Sequence, residues 1–375
     1  MGNGMMDKTR ICIITTAHDA RDDRIFHKQA LSLAQASFEV SMIAGWTKEM
    51  DSGPVKKLSL PVFKGKVSRI LRGSFCALQL ALKEKAAVYH FHDPELLPLG
   101  VALKIFGKRV IYDVHEDYSR KVLSRCLPQP LAWLASHSLR GFEAACAWTF
   151  DHIVAADSHV ASLFAPRKTT VIANYPPVDF VNRKFPTREP DDGVFRMVYV
   201  GGINEIRGIG KTLDALDLIT DTPVEFHLAG NISGRELARR IESHPRVVYH
   251  GVLPWERVNG VIARADVGLV LFQPVPAFKY YPGENIIKLW EFLGLGLPVI
   301  ISDFPRLKKL IEDLGSGIAV DSADPSAIAA AIRQLRDQPE LRRRLGANGR
   351  NSVLRERNWD GEARKLAAIY RGLGL

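Results

Sequence analysis

The sequence predicts an α/β protein of two doubly wound domains, each a parallel sheet flanked by helices. Short β-branched runs alternate with amphipathic segments along the whole chain, which is the texture of strand–helix–strand units. The rhythm breaks once, at 174–193 (NYPPVDFVNRKFPTREPDDG), a stretch rich in proline and charge that reads as a linker. It then restarts at Phe195. The predicted domains are residues 1–185 and 194–358. A doubly wound sheet keeps ligands outside the carboxyl ends of its strands, so two such sheets facing each other would enclose an interdomain cleft.

Arg10–Thr16 (RICIITT) reads as a buried first strand, and Arg24–Ala36 as an amphipathic helix with Ile25, Leu31, Leu33 and Ala34 on one side. Phe38–Ile43, Ala87–Phe91, Arg109–Asp113, His152–Ala155 and Thr170–Ala173 follow as strands. Leu127–Pro130 breaks the chain before a long helix, about Leu131–Phe150. In the second half the predicted strands are Phe195–Val200, Val224–Ala229, Arg246–Tyr249, Val267–Phe272 and Pro298–Ser302. Helices close the chain at about Pro325–Arg336, Glu340–Glu356 and Trp359–Arg371.

Composition excludes several classes. With 46% hydrophobic and 25% charged residues over 375, the chain matches soluble globular proteins and can bury large cores. No apolar run reaches the ~18 residues of a membrane span, and Met1–Arg10 lacks the apolar core of a signal peptide. The four cysteines, Cys12, Cys76, Cys126 and Cys146, form no CxxC pair, so a reducing cytoplasm is expected. Net charge is +10, and Val55–Lys85 alone holds eight basic residues against Glu84, a net +7. There Val67, Ile70, Leu71, Phe75, Leu78 and Leu82 predict a basic amphipathic helix. It suits either core packing with a solvated basic side or an anionic membrane. Few aromatics interleave its charges, which disfavours nucleic acid.

Four segments hold candidate site residues. Gly201-Gly202-Ile203-Asn204-Glu205-Ile206-Arg207-Gly208 lies between a strand and a helix at about Ile209–Leu218. It fits a phosphate-binding turn, with Arg207 as a bidentate donor, or an ordinary glycine turn. Its spacing is not that of the dinucleotide fingerprint. In Gly283–Phe292, Glu284, Lys288 and Glu291 fall at i, i+4 and i+7, one face of a helix beginning near Glu284. A cation and two carboxylates there suit a phosphorylated, hydroxyl-rich ligand. The apolar residues around them weigh against a plain solvated ion-pair face. His90–Glu95 (HFHDPE) and Tyr112–Asp117 (YDVHED) end two strands of the first domain. They are rich in ligand-type residues, but no zinc spacing appears, so a polar site rather than a metal is expected. In the loop Thr16–Arg24, Asp22 or Asp23 is placed to cap the next helix, and Arg21 or Arg24 to reach an anion. Arg21, His92 and Tyr118 form a candidate acceptor-side group by their placement at strand ends.

Together, Thr16–Phe26 (TAHDARDDRIF), His92–Glu95, Tyr112–Glu116, Tyr199–Gly208 and Lys288–Ile300 (KLWEFLGLGLPVI) resemble glycosyltransferase family 4 over nearly the whole chain. The resemblance implies the GT-B fold, two facing Rossmann-like domains, with the last helix (about 359–375) crossing back onto the first. It implies a sugar nucleotide as donor, retention of anomeric configuration, no metal or other cofactor, and domain closure that excludes water. Carried over to this chain, it implies that Gly201, Gly202, Arg207, Gly283, Glu284, Asn285, Ile286 and Lys288 contact the donor, with Glu291 on its ribose. His115 would lie near the donor sugar, and Asn174 after a strand between the domains. Gly202 stands where the family has an arginine, and Glu284 is one place from the usual first glutamate. Lys288–Phe292 resembles the subgroup that lacks that glutamate. The expected partners are a UDP-sugar, or secondly a GDP-sugar, and a saccharide or lipid-linked acceptor, with an anionic membrane surface and no nucleic acid. The expected setting is the cytoplasm, peripheral to the membrane. A nucleotide-sugar epimerase and a non-catalytic GT-B partner subunit are the alternatives.

Overall fold

A computed structural model describes residues 9–123, 129–185, 192–275 and 283–373. Two compact units appear, Met1–Asn174 with Trp359–Leu375, and Tyr175–Asn358. Cys126 and Pro282 lie outside the described residues.

The first unit holds strands β1 (Arg10–Ile14), β2 (Glu39–Ala44), β3 (Lys56–Ser59), β4 (Val88–Phe91), β5 (Arg109–Val114), β6 (His152–Ala155) and β7 (Thr169–Val171). They form one all-parallel sheet in the order β3-β2-β1-β4-β5-β6-β7. The side-chain period of two splits its residues between the faces. Ile11, Ile13, Met42, Val88 and Ile111 pack on one side with Ile25 and Leu33. Cys12, Ile14, Tyr89, Phe91 and Tyr112 pack on the other with Ala77, Leu103 and Ala147. Both faces are covered, as a parallel sheet requires. Trp359–Gly372 belongs to the first of these faces: Tyr370 OH meets His90 Nδ1 at 2.6 Å, Trp359 Nε1 donates to Ser32 Oγ at 2.8 Å, and Glu362 accepts from the Ala173 amide.

The second unit holds β8 (Phe195–Val200), β9 (Val224–Ala229), β10 (Val247–Tyr249), β11 (Val267–Val270), β12 (Val299–Ser302) and β13 (Gly317–Val320). Their parallel order is β10-β9-β8-β11-β12-β13. The strand order reverses beside β8, where a doubly wound sheet opens its ligand crevice.

Three details differ from the sequence expectation. The change of unit falls at Asn174, ahead of the 185–193 boundary, because the short helix Val178–Asn182 packs into the second unit: Arg350 donates to the Val181 and Gly294 carbonyls. The basic stretch Val55–Lys85 is not one helix. It opens with edge strand β3 and becomes helical only from Lys66, through a π-wound turn at Arg69–Gly73 into Ser74–Glu84. Ile70, Leu78 and Leu82 are half-buried, whereas Val67, Leu71 and Phe75 are exposed. The helix after Gly283 starts at Ile287, not Glu284, since Ile286 sits outside the helical region (φ −91°, ψ 83°). Glu284 therefore stands in the preceding turn and does not share a helical face with Lys288 and Glu291.

Candidate functional site

Each unit carries a polar group of residues at the carboxyl ends of its strands. In the second unit, β8 runs into Gly201 and Gly202, then a 3-10 turn Glu205–Arg207, then the helix Ile209–Asp217. Asn204 caps this turn by accepting from the Arg207 amide. Gly208 must be glycine: its φ is +77° and a Cβ would lie 2.0 Å from the Leu271 carbonyl oxygen. Gly201, at φ +112°, leaves space for the Lys288 ammonium, whose Nζ would be 2.9 Å from a Cβ. Two aromatic rings floor the cations. Lys288 Nζ is 3.9 Å from the Tyr199 ring centre and the Arg207 guanidinium 4.8 Å from that of Phe272. Tyr199 is itself fixed by donating its hydroxyl to the Gly202 carbonyl.

Lys288 and Glu291 are one turn apart on Ile287–Gly294. Trp290 ties that helix to the preceding turn through Nε1 donating to the Gly283 carbonyl at 3.1 Å. Glu284, Asn285 and Ile286 fill this turn, with Ile286 buried. Burial against Tyr199 and then the nearby positive charge of Arg207 push Lys288 well below the ordinary lysine range, and Glu291 only partly offsets them. Two cations held together at a glycine turn form a place where an anion is favoured.

In the first unit the loop after β1 is organised by Asp93. Its Oδ2 accepts from the Thr15 hydroxyl (3.0 Å) and from the Thr16 and Ala17 amides (2.6 and 3.1 Å), while Oδ1 meets His18 Nδ1 at 2.8 Å. Burial would raise the Asp93 carboxyl, but the His18 and amide hydrogen bonds outweigh it and hold it low. The same hydrogen bond raises His18 above the usual histidine value. His18 is aimed by its Nδ1 contact and keeps a side chain 28% exposed. Sequence reading did not single out this pair. Its only signal was a histidine after one strand and an aspartate after another, 75 residues apart.

Behind that loop, Asp113 is fully buried and receives Arg24 Nη2 at 3.1 Å and Gln29 Nε2 at 2.5 Å. Arg24 also donates to the Ile172 carbonyl. It is thus an internal ion-pair partner, not the anion-reaching residue that the loop suggested. Asp22 caps the helix by accepting from the Arg24 and Ile25 amides. His90, His92 and His115 approach Asp113 at 3.6–3.7 Å. His90, His92 and Asp113 have the donor types of a metal site. The guanidinium already placed on this carboxylate makes it a poor host for a second cation. Burial lowers His92 well below its usual value and His115 to about 4, so both imidazoles are neutral near pH 7. His92 Nδ1 and His115 Nε2 are 3.2 Å apart. Arg21 lies in the exposed loop, its guanidinium 5.9 Å from the Phe26 ring centre, and Tyr118 opens the helix Tyr118–Leu123. Asn174 is buried and accepts from Lys28 Nζ.

Residues 194–338 match the family model for "Glycosyl transferases group 1". Alpha-D-kanosaminyltransferase of Streptomyces kanamyceticus is 28% identical over 185 residues, 48% of this chain and 46% of that protein, so the match spans about half the length of that relative. Sucrose-phosphate synthase from Thermosynechococcus elongatus superposes with a TM-score of 0.75 at 20% identity, over 98% of this chain and 99% of the other. Anabaena Alr3699/HepE, solved in complex with UDP and glucose, gives a TM-score of 0.70 at 14% identity over 97% and 100%. The group 1 glycosyl transferase match thus covers residues 194–338, the second unit's sheet and its first helices, and the likeness to the solved structures is one of fold.

Proposed function

We propose that the chain is a retaining glycosyltransferase that moves a sugar from a nucleotide diphosphate, UDP before GDP, to a saccharide or lipid-linked acceptor in polysaccharide biosynthesis. The observation that carries this reading is the pairing of Arg207 and Lys288 over aromatic floors at the glycine turn after β8. That pair suits a diphosphate, and Glu291 on the same helix as Lys288 suits the hydroxyls of a ribose. UDP in the HepE structure favours UDP as the nucleotide. The bond between the sugar C1 and the phosphate oxygen breaks with its electron pair leaving on the diphosphate. The acceptor oxygen bonds to C1 on the same face, and its proton passes to the departing phosphate. Arg207 and Lys288 stabilise the charge that develops. No metal ion is assigned a role. His115, neutral and fixed beside His92, orients the donor sugar; Arg21 and Tyr118 stand on the acceptor side, whereas His92 is fully buried and backs His115 instead of meeting an acceptor.

A panel of nucleotide sugars and free nucleotides, with and without EDTA, tests this by thermal shift. A ligand at ~100 times its Kd stabilises by about 2.7 kcal/mol, a rise of a few degrees for a unit of this size. A rise with uridine diphosphates alone, unchanged by EDTA, is the expected result. No rise with any nucleotide would turn the reading toward a non-catalytic partner subunit. Turnover without any acceptor would point to an epimerase.

Nucleotide binding should also take up protons. Lys288 has a depressed pKa in the free protein, and a diphosphate beside it restores the ordinary value. Between those two values the bound form holds more protons, so affinity falls as pH rises through the window. Titration calorimetry in buffers of different ionisation enthalpy should show net uptake, and Lys288→Ala should abolish it.

The setting proposed is cytoplasmic and peripheral to an anionic membrane. Lys64, Lys66 and Arg72 are exposed beside Val62, Val67, Leu71 and Phe75. Arg69 is instead turned to Glu95, at 3.0 Å.

A further inference from the structure

The helix Gln129–Thr149 covers one face of the first unit's sheet through Cys146 and Ala147. Its outer face has an unusual chemistry. The exposed positions include Leu131, Trp133, Leu134, His137, Ser138, Gly141, Phe142, Ala144, Ala145 and Trp148. None is charged. The helix has only two ionic residues, Arg140 and Glu143, and they pair with each other at 3.1 Å as Glu143 turns inward to Tyr112. An outward helix face in water normally carries charge. Here Trp148 is 78% exposed, Trp133 58%, Leu131 and Leu134 56% each, and Phe142 49%. Exposed apolar surface on this scale marks an interaction face.

The neighbouring elements identify the occupant. Ser74–Glu84 packs beside Leu97–Ile105, which packs beside Gln129–Thr149, and all three share one core. This helical layer thus continues from the uncharged face, past exposed Ile105 and Phe106, to Phe75, Leu71 and Val67 with Lys64, Lys66 and Arg72. An apolar strip with tryptophans and a basic flank complements an anionic lipid surface. A second protein copy is a poorer fit. A second copy would bring no anionic surface to Lys64, Lys66 and Arg72 at the edge of the strip, whereas lipid phosphates do. We propose that the outer face of Gln129–Thr149 lies in the headgroup layer of an anionic membrane, with Trp133 and Trp148 inserted and the Lys64–Arg72 flank on lipid phosphates.

This deepens the membrane part of the function proposed above, and its test separates the two. Whole protein is mixed with vesicles of phosphatidylcholine containing a quarter phosphatidylglycerol, with or without bromine on the acyl chains. The wild type should co-sediment, and brominated lipid should quench its tryptophan emission. Trp133→Phe with Trp148→Phe should keep the binding and lose most of the quenching. Trp133→Gln, Leu134→Gln and Trp148→Gln together should weaken partitioning at least tenfold, while the thermal shift given by UDP stays as in the wild type. Lys64→Glu, Lys66→Glu and Arg72→Glu should weaken binding in a salt-dependent way. Absence of quenching overturns the proposal, as does a soluble dimer that the glutamine variant dissociates. If vesicles bind but UDP gives no shift, the membrane seat stands and the transferase reading falls; the reverse result has the opposite meaning.

Discussion

Lys288→Ala is expected to lower turnover of the nucleotide-sugar donor about 10²–10³-fold, the effect of removing one preorganised charge from a transition state, without lowering thermal stability. Stability and activity should separate here because Lys288 is poorly placed in the free protein. Its ammonium is pressed against Tyr199 beside a second cation, Arg207, and its pKa is driven down by burial and by that repulsion. A depressed lysine binds fewer protons folded than unfolded, so it opposes folding below its unfolded pKa and the loss fades as pH rises. Removing it should leave the melting temperature equal or higher at pH 7. Lys288→Met, which keeps the stem over Tyr199, should behave the same way in both assays. Arg207→Ala should lose activity to a similar degree. The two losses together should fall short of their sum if both residues act on one diphosphate, as proposed. Turnover of Lys288→Ala within threefold of wild type would remove the phosphate role from this residue. A melting temperature several degrees lower would show that the lysine is structural.

Much of the second unit's site was legible because it is local. A strand, two glycines, an arginine and a helix follow each other within Tyr199–Asp217, and the backbone geometry there follows from glycine at Gly201 and Gly208. The limits of local reading show at Glu284. A spacing of four and seven residues fits a helical face, but a chain can hold the spacing without the helix, and Ile286 breaks it. Two strands carry no clear sequence signal for a similar reason. β3 is a four-residue edge strand inside a lysine-rich stretch, with no buried alternation, and β13 is four residues beginning with glycine. The first unit's network was read only as residue types at strand ends. Which aspartate meets which cation depends on contacts such as Arg24 with Asp113 or His18 with Asp93, separated by 89 and 75 residues. The sequence supplied the groups and not their pairing. It offers either Arg21 or Arg24 to an anion and no histidine to Asp93. The uncharged face of Gln129–Thr149 was present in the sequence as an absence of Lys, Asp and Glu at outward positions. It becomes visible only when Arg140 and Glu143 are seen to be turned toward each other.

The pairing of Arg24 with Asp113 yields the largest stability change. Asp113→Ala is expected to destabilise the first unit by about 3–5 kcal/mol, the effect of stranding one member of a buried ion pair. The carboxylate is fully buried and accepts from Arg24 and Gln29, with three histidines around it. Without it the guanidinium keeps the Ile172 carbonyl as a partner but no counter-charge at hydrogen-bond distance. The pKa direction agrees: burial alone would raise Asp113, and Arg24, ahead of the histidines, pulls it well below the usual carboxylate value. A carboxylate with a depressed folded pKa stabilises fully above its unfolded pKa, and that contribution is lost as pH falls through the folded value. The destabilisation by Asp113→Ala should therefore be constant from pH 6 to 8 and shrink only in strong acid. Arg24→Met combined with Asp113→Leu removes both charges and should recover most of the loss, since apolar replacement of a buried pair is often neutral. Amide exchange should place the change in β1, β4 and β5, leaving β8 to β12 protected as in the wild type. A loss below ~1 kcal/mol for Asp113→Ala, or no recovery in the double variant, would mean that the ion pair does not hold this sheet together and that the polar cluster serves the site alone.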